Sequence, residues 1–126
     1  YNIKNDELRW VNGGHQPAII RSTNGDYQQF ESNSPPMGVI LQKDKSSYKV
    51  NKIKLENKRF FAFTDGLSES LNSEGEEIGI EGSLKVIEDN FNTDSGKQLS
   101  DISNTVISTA GENNLSDDLT LISIGK

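Results

Sequence analysis

Two segments join an apolar run to an aspartate that burial does not explain. They are Phe60-Phe61-Ala62-Phe63-Thr64-Asp65-Gly66 and, near the C-terminus, Ser116-Asp117-Asp118-Leu119-Thr120-Leu121-Ile122. A carboxylate at a strand end is open to solvent yet carried on stiff backbone, which suits it to bind a hard cation. If the two strands are neighbours, Asp65 and Asp117 meet. Each aspartate also has a plainer reading. Aspartate is a favoured helix N-cap, so Asp65 alone could cap the turn that follows it. Asp117-Asp118 alone reads as a solvated acidic turn. Adjacent aspartates repel, however, and a pair at the mouth of a Leu-Thr-Leu-Ile strand is best tolerated beside a cation or donors. Taken together, the two segments point to a divalent site.

The composition narrows the chemistry further. The 126 residues contain no cysteine, which excludes thiol catalysis, disulfides and cysteine-based zinc sites. The net charge of −6 argues against nucleic acid, because neutralising phosphates needs clustered Lys and Arg. The one loose basic run, Lys43 to Lys58, reads as the solvated face of a strand. No apolar run approaches the roughly 18 residues of a membrane span, and no signal-like leader opens the chain, so a cytoplasmic setting without membrane contact is expected. Hydrophobic residues make up 32%, a lean core for one domain at most, spanning residues 1–126, and equally what part of a larger domain would show.

The elements that must position the aspartates can be read from periodicity. Alternation around Tyr1 and Ile3, a turn at Asn5-Asp6, and Leu8 with Trp10 predict two strands. Ile19 and Ile20 mark another, and Asn24-Gly25, both tolerant of positive φ, predicts a two-residue hairpin back through Tyr27 to Glu31. Pro35 and Pro36 make a loop of Ser34 to Gly38, because they remove two ladder donors. A strand through Tyr48, Val50, Ile53 and Leu55 then leads to the one at Phe60 to Thr64. In that strand Phe61, Phe63 and Asp65 share a face, and Gly66 is read as the point of a sharp turn. Beyond it the period becomes helical: a short helix from Gly66 to Leu71, broken at Asn72-Ser73-Glu74-Gly75; one through Leu84, Ile87 and Phe91 capped by Ser83; and one from about Lys97 to Ala110, stopped by Gly111. Leu119 to Ile124 closes as a strand. The expected class is α+β, antiparallel sheets with helices packed on one face.

Five segments occur in an order that carries a resemblance: Asn12-Gly13-Gly14-His15-Gln16-Pro17, Pro36-Met37-Gly38, Phe63-Thr64-Asp65-Gly66-Leu67-Ser68-Glu69, Asn72-Ser73-Glu74-Gly75-Glu76 and Asp117-Asp118-Leu119-Thr120. The chain resembles the C-terminal part of PPM-type metal-dependent serine/threonine protein phosphatases of the bacterial SpoIIE/RsbU branch. The resemblance implies an incomplete αββα sandwich, with Asp65 and Asp117 ligating one of two Mn²⁺ or Mg²⁺ ions. It makes Asp118 a supporting neighbour of the ligands and Gly66 part of their loop. It further implies hydrolysis of phosphoserine or phosphothreonine on a regulatory protein, possible partners being an anti-anti-sigma-type substrate and upstream sensory domains. Water activated between two metals would be the nucleophile, which agrees with a chain lacking cysteine.

One departure matters. The family's Asp-x-x-Gly-His-Gly motif, source of the aspartate that bridges both metals, is absent from this sequence. The only histidine, His15, precedes Gln16 and belongs to another motif, where it either ties its loop or acts as a general acid, the first being the preferred reading. The site in this chain is therefore expected to be incomplete and the chain alone weakly active or inactive. The alternative is a non-catalytic regulatory or protein-binding domain derived from the same fold. A haloacid-dehalogenase-like phosphatase or a receiver domain fits less well, since the first needs a second aspartate two residues after its nucleophile and both need an alternating βα order.

Overall fold

Phe60 and Phe61 leave one strand in opposite directions, and each enters a different core. The computed structural model describes residues 1–39, 48–92, 94–110 (residue 110 by its backbone alone) and 117–125. Its strands are Glu7–Trp10 (β1), Ala18–Ser22 (β2), Tyr27–Phe30 (β3), Asn51–Lys54 (β4) and Lys58–Phe63 (β5). A single helical turn, Asp65–Ser68 (α1), two helices, Gly79–Asp89 (α2) and Ser95–Ala110 (α3), and the strand Leu121–Gly125 (β6) follow.

Four strands form an antiparallel sheet in the order β3-β2-β5-β6, and β1 pairs with β4 in a second, two-stranded sheet. The register places Ile19 opposite Phe61 and Ile20 opposite Phe60, so apolar side chains line up in rows on both faces. On one face Ile19, Phe61 and Phe63 pack against Leu67, Leu84, Ile87, Ile102 and Val106 of the helices. On the other, Ala18, Ile20 and Phe60 pack against Leu8 of the small sheet and Leu55 just after it, where Trp10 meets Phe30 and Phe60 edge-on at 5.1 and 5.3 Å between centroids. The molecule is thus layered helices, sheet, sheet: α+β, with the helices on one face, as the periodicity predicted.

Local chemistry moves several boundaries. The strand expected at Tyr1 and Ile3 is a single bridge between Asn2 and Glu7. The hairpin loop has three residues rather than two. Ser22 O accepts from the Gly25 N–H at 3.0 Å, Ser22 N–H donates to Asp26 O at 2.8 Å, and of the Asn-Gly pair only Gly25 takes a positive φ, 95°. The β4 strand starts at Asn51, not Tyr48, with Lys52 and Lys54 on its exposed face. Helix α2 begins four residues before its expected cap. Ser83 lies inside it, fully buried, its hydroxyl donating back to Gly79 O at 2.7 Å. Helix α3 starts at Ser95, and Asp94 accepts the Lys97 N–H at 3.0 Å. The stop expected at Gly111 lies outside the described residues.

The end of the sheet far from Asp65 carries a polar cluster that the pattern did not announce. Arg21 and Arg59 are cross-strand partners, both buried. Arg21 forms a two-pronged pair with Glu88 of α2, at 2.6 and 2.8 Å, and lies 3.6 Å over the Phe91 ring. Arg59 donates to Gln98 Oε1 of α3 at 2.7 Å and to the Asn92 carbonyl. Both helices are thereby anchored to neighbouring strands by charge as well as by apolar packing. Hydrogen bonding from Arg21 holds the Glu88 carboxyl below its ordinary value of 4.5. A carboxyl lowered in this way stabilises the fold above about pH 4.5 and loses that contribution as the pH falls through its lowered value. Glu88→Gln is therefore expected to lower the urea midpoint at pH 7. The gap from the parent protein should close progressively below pH 4.5 when unfolding curves are measured across pH.

Candidate functional site

The last strand rung between β5 and β6 pairs Phe63 with Leu121. Everything that follows Phe63 and everything that precedes Leu121 therefore emerges at the same end of the sheet. This is where Asp65 and Asp117 lie. Thr64 extends the pairing by one step, its N–H donating to Thr120 O at 3.0 Å. Its hydroxyl accepts the Thr120 N–H at 2.9 Å and donates to Asp118 O at 2.8 Å.

Gly66 faces the same segment. A Cβ at that position would lie 2.6 Å from Asp118 O, 2.9 Å from Asp118 C and 3.1 Å from Asp117 O. Gly66 is not among the residues with positive φ, so the sharp turn expected of it is not its reason for being glycine. The reason is the absence of a side chain, which lets two backbones touch. Asp65 does not cap the helix either. Thr64 occupies the N-cap position of α1 and Asp65 is the first helical residue. Nor does Asp65 turn into the core: it is exposed, while Phe61 and Phe63 of the same alternation are buried.

The carboxylates are open. Asp65, Asp117 and Asp118 are all exposed, and none forms an ion pair with another described residue. Asp117 is oriented by its neighbour, its Oδ1 accepting the Asp118 N–H at 2.7 Å. Among the described residues no three His, Cys, Asp or Glu side chains come together closely enough to hold a metal ion. Among the described residues, Asp65 and Asp117 present exposed carboxylates from two segments in contact.

His15 lies at the same end. It is exposed and borders a small cavity of ≈ 70 Å³ with Thr64, Thr120 and Ile122. Its ring holds the loop only loosely, Nδ1 standing 3.3 Å from Gln16 O. The tie is made instead by the buried Asn12, which accepts the His15 N–H at 2.9 Å and donates to Gln16 O at 2.9 Å. Gln16 in turn donates to Ser68 Oγ at 3.3 Å, and Ser68 donates to Asp65 O at 3.1 Å, joining the histidine loop to α1. Reasoning from the sequence overlooked both Thr64 and Asn12. The signal available for Thr64 was its place across the sheet from Thr120, two hydroxyl-bearing residues at a strand end.

Two sheets back to back, one covered by helices, with aspartates at one end of β5 and β6, match part of the PP2C phosphatase fold. The structure is similar to the SiaA-PP2C domain of Pseudomonas aeruginosa, with a TM-score of 0.75 at 18% identity, covering 98% of this chain and 48% of that one. It is similar to the Mn-presoaked phosphatase domain of the cell fate determinant SpoIIE from Bacillus subtilis, with a TM-score of 0.67 at 13% identity, covering 98% and 52%. The chain belongs to the stage II sporulation protein E (SpoIIE) family, whose model matches residues 1–125. It is also 23% identical over 124 residues to protein IcfG of Synechocystis, covering 98% of this chain and 19% of that protein. The chain thus spans about half the length of these solved domains and about a fifth of that curated relative.

Gly66→Ala places a methyl group against the 117–118 backbone, and one of the two segments must move. Destabilisation of about 1–3 kcal/mol is expected in chemical unfolding, the range of overpacking at a closed site.

Proposed function

We propose that this chain is the C-terminal portion of a PPM-type phosphatase domain that hydrolyses phosphoserine or phosphothreonine on a regulatory protein in bacterial signalling. In this reading Asp65 and Asp117 ligate one Mn²⁺ or Mg²⁺. The observation that supports it is the approach of Gly66 to the Asp117-Asp118 backbone, which brings the segments carrying the two exposed aspartates into contact. The donor set fits a hard divalent cation: both groups are anionic oxygen donors, and no described cationic side chain pairs with either. The manganese presoak of the Bacillus subtilis relative agrees with that choice of ion. When bound, the metal supplies Lewis acidity, lowering the pKa of water and balancing charge on phosphoryl oxygens.

The roles of the chain's own residues follow. Asp65 and Asp117 present the ligand oxygens. The Asp118 N–H turns the Asp117 carboxylate. Gly66 lets the two backbones touch. His15 edges the same end on a loop held by Asn12. The remaining ligands, with the bridging aspartate, come from sequence preceding this segment, together with upstream sensory domains. The substrate is a phosphoprotein of the anti-anti-sigma kind. Its phosphate meets an acidic protein of net charge −6, so binding depends on the metal.

The test is hydrolysis of a phosphoserine peptide by the intact protein in Mn²⁺. Asp65→Asn or Asp117→Asn is expected to lower kcat/KM by roughly 100-fold or more, the effect of losing several kcal/mol of metal-assisted stabilisation, and chelation should abolish turnover. Residues 1–126 alone are expected to show little or none. Robust turnover by that segment, lost in Asp65→Asn, would refute the idea that the site is completed from outside. No hydrolysis by the intact protein would favour a non-catalytic regulatory domain.

A further inference from the structure

Thr64 stands where a strand becomes a helix, and its backbone cannot serve both. In an antiparallel ladder the Thr64/Thr120 pair would exchange two bonds between main chains. The first is present, from Thr64 N–H to Thr120 O at 3.0 Å. The second is not a backbone bond, because the Thr64 carbonyl has turned away to accept the Leu67 N–H at 3.1 Å as α1 begins. The Thr64 hydroxyl takes its place, accepting the Thr120 N–H at 2.9 Å. The same oxygen then donates its proton to Asp118 O at 2.8 Å. One hydroxyl thus closes the ladder and reaches two residues further along the facing segment. There the Asp118 carbonyl is confined between Thr64 and the bare Cα of Gly66.

We propose that Thr64 is a positioning residue for Asp117: its hydroxyl is the latch that sets the spacing between the Asp117 and Asp65 carboxylates, and through it the affinity of the pair for a divalent cation. This rests on the metal-ligand reading of the two aspartates. The Asp117 carboxylate is turned by the Asp118 N–H, and the carbonyl of Asp118 is the atom the latch grips, so the hold on Asp118 reaches Asp117 through one residue. Among the described hydrogen bonds, those of the Thr64 hydroxyl are the side-chain link from the end of β5 to residues 117–120. The packing at Gly66 resists approach of the segment but not its departure. Departure is what the hydroxyl opposes. A hydroxyl on a β-branched carbon suits the task, since threonine is stiff about χ1 and serine less so.

The test compares Thr64→Val, which keeps the shape and removes the hydroxyl, with Thr64→Ser, which keeps the hydroxyl. Mn²⁺ affinity of the intact protein is measured by the loss of the free-ion EPR signal, and exchange of the Thr120 amide by NMR or mass spectrometry without metal. Thr64→Val is expected to weaken Mn²⁺ binding by roughly tenfold, the size of one well-placed hydrogen bond. It should also speed Thr120 amide exchange, leaving amides in the middle of β5 protected as before. Thr64→Ser is expected to restore both to within about threefold of the parent, as a retained hydrogen bond would. Thr64→Val binding Mn²⁺ as tightly as the parent, in a background where Asp117→Asn binds poorly, overturns the latch alone. If Asp117→Asn itself leaves Mn²⁺ binding unchanged, the ligand assignment falls, and the latch role with it. A Thr64→Ser variant as defective as Thr64→Val also overturns it, because the hydroxyl would then not be the active feature.

Discussion

The antiparallel pairing of β5 with β6 is the constraint on which the rest of the structure depends. It decides which ends of two distant segments face the same way. Its register is held by apolar side chains rather than by the acids it serves. Phe61 and Phe63 are buried under the helices, and Phe60 is buried under the small sheet. A slip of one residue would exchange the two faces and expose both cores at once. The carboxylates are therefore located by hydrophobic burial several residues away, on a strand that has no freedom to choose another partner.

The two ends of this strand treat charge in opposite ways. At Arg59 the sheet end is closed, with buried guanidiniums partnered by Glu88, Gln98 and a main-chain carbonyl and covered by Phe91. Burial and the neighbouring Arg21 push the Arg59 pKa down, which is tolerated because guanidinium stays protonated far above neutrality. At Asp65 the sheet end is open, and Asp65, Asp117 and Asp118 are exposed without an ion pair to a described residue. The fold has used its own counter-charges at the closed end for anchoring helices. In the proposed reading, the open end is where an external cation adds what the described residues do not supply.

The layered architecture was legible because its code is periodic. The alternation along Phe60 to Phe63, with the helical spacing of Leu84 and Ile87, named part of both cores directly. The two aspartates were legible because an acid at the end of an apolar run contradicts its surroundings. What escaped was set by contacts between distant segments. Gly66 looked like a turn glycine, since a sequence shows that a side chain is missing but not what would have struck it. Ser83 looked like a cap because serine before an apolar period usually is one, yet here the preceding turn was already helical and the hydroxyl bonded back along it. Thr64 carried no signal by composition alone: its hydroxyl matters only because the Thr64 carbonyl is used elsewhere. The arginine pair on β2 and β5 has no pattern in the sequence to announce it, because Phe91 reaches it from beyond the end of a helix.

The order of strands has a further consequence for how the molecule comes into being. The β2–β3 hairpin closes through a loop of three residues, whereas β5 meets β6 only after three helices have intervened. Closing the longer loop costs more chain entropy and waits for the helices to fold between its ends. A polypeptide leaving the ribosome carries Asp65 long before Asp117, and the two acids are brought together only when the final strand docks. Until then the two acids lie on separate parts of the chain, and their shared place at one end of the sheet is a property of the folded molecule alone.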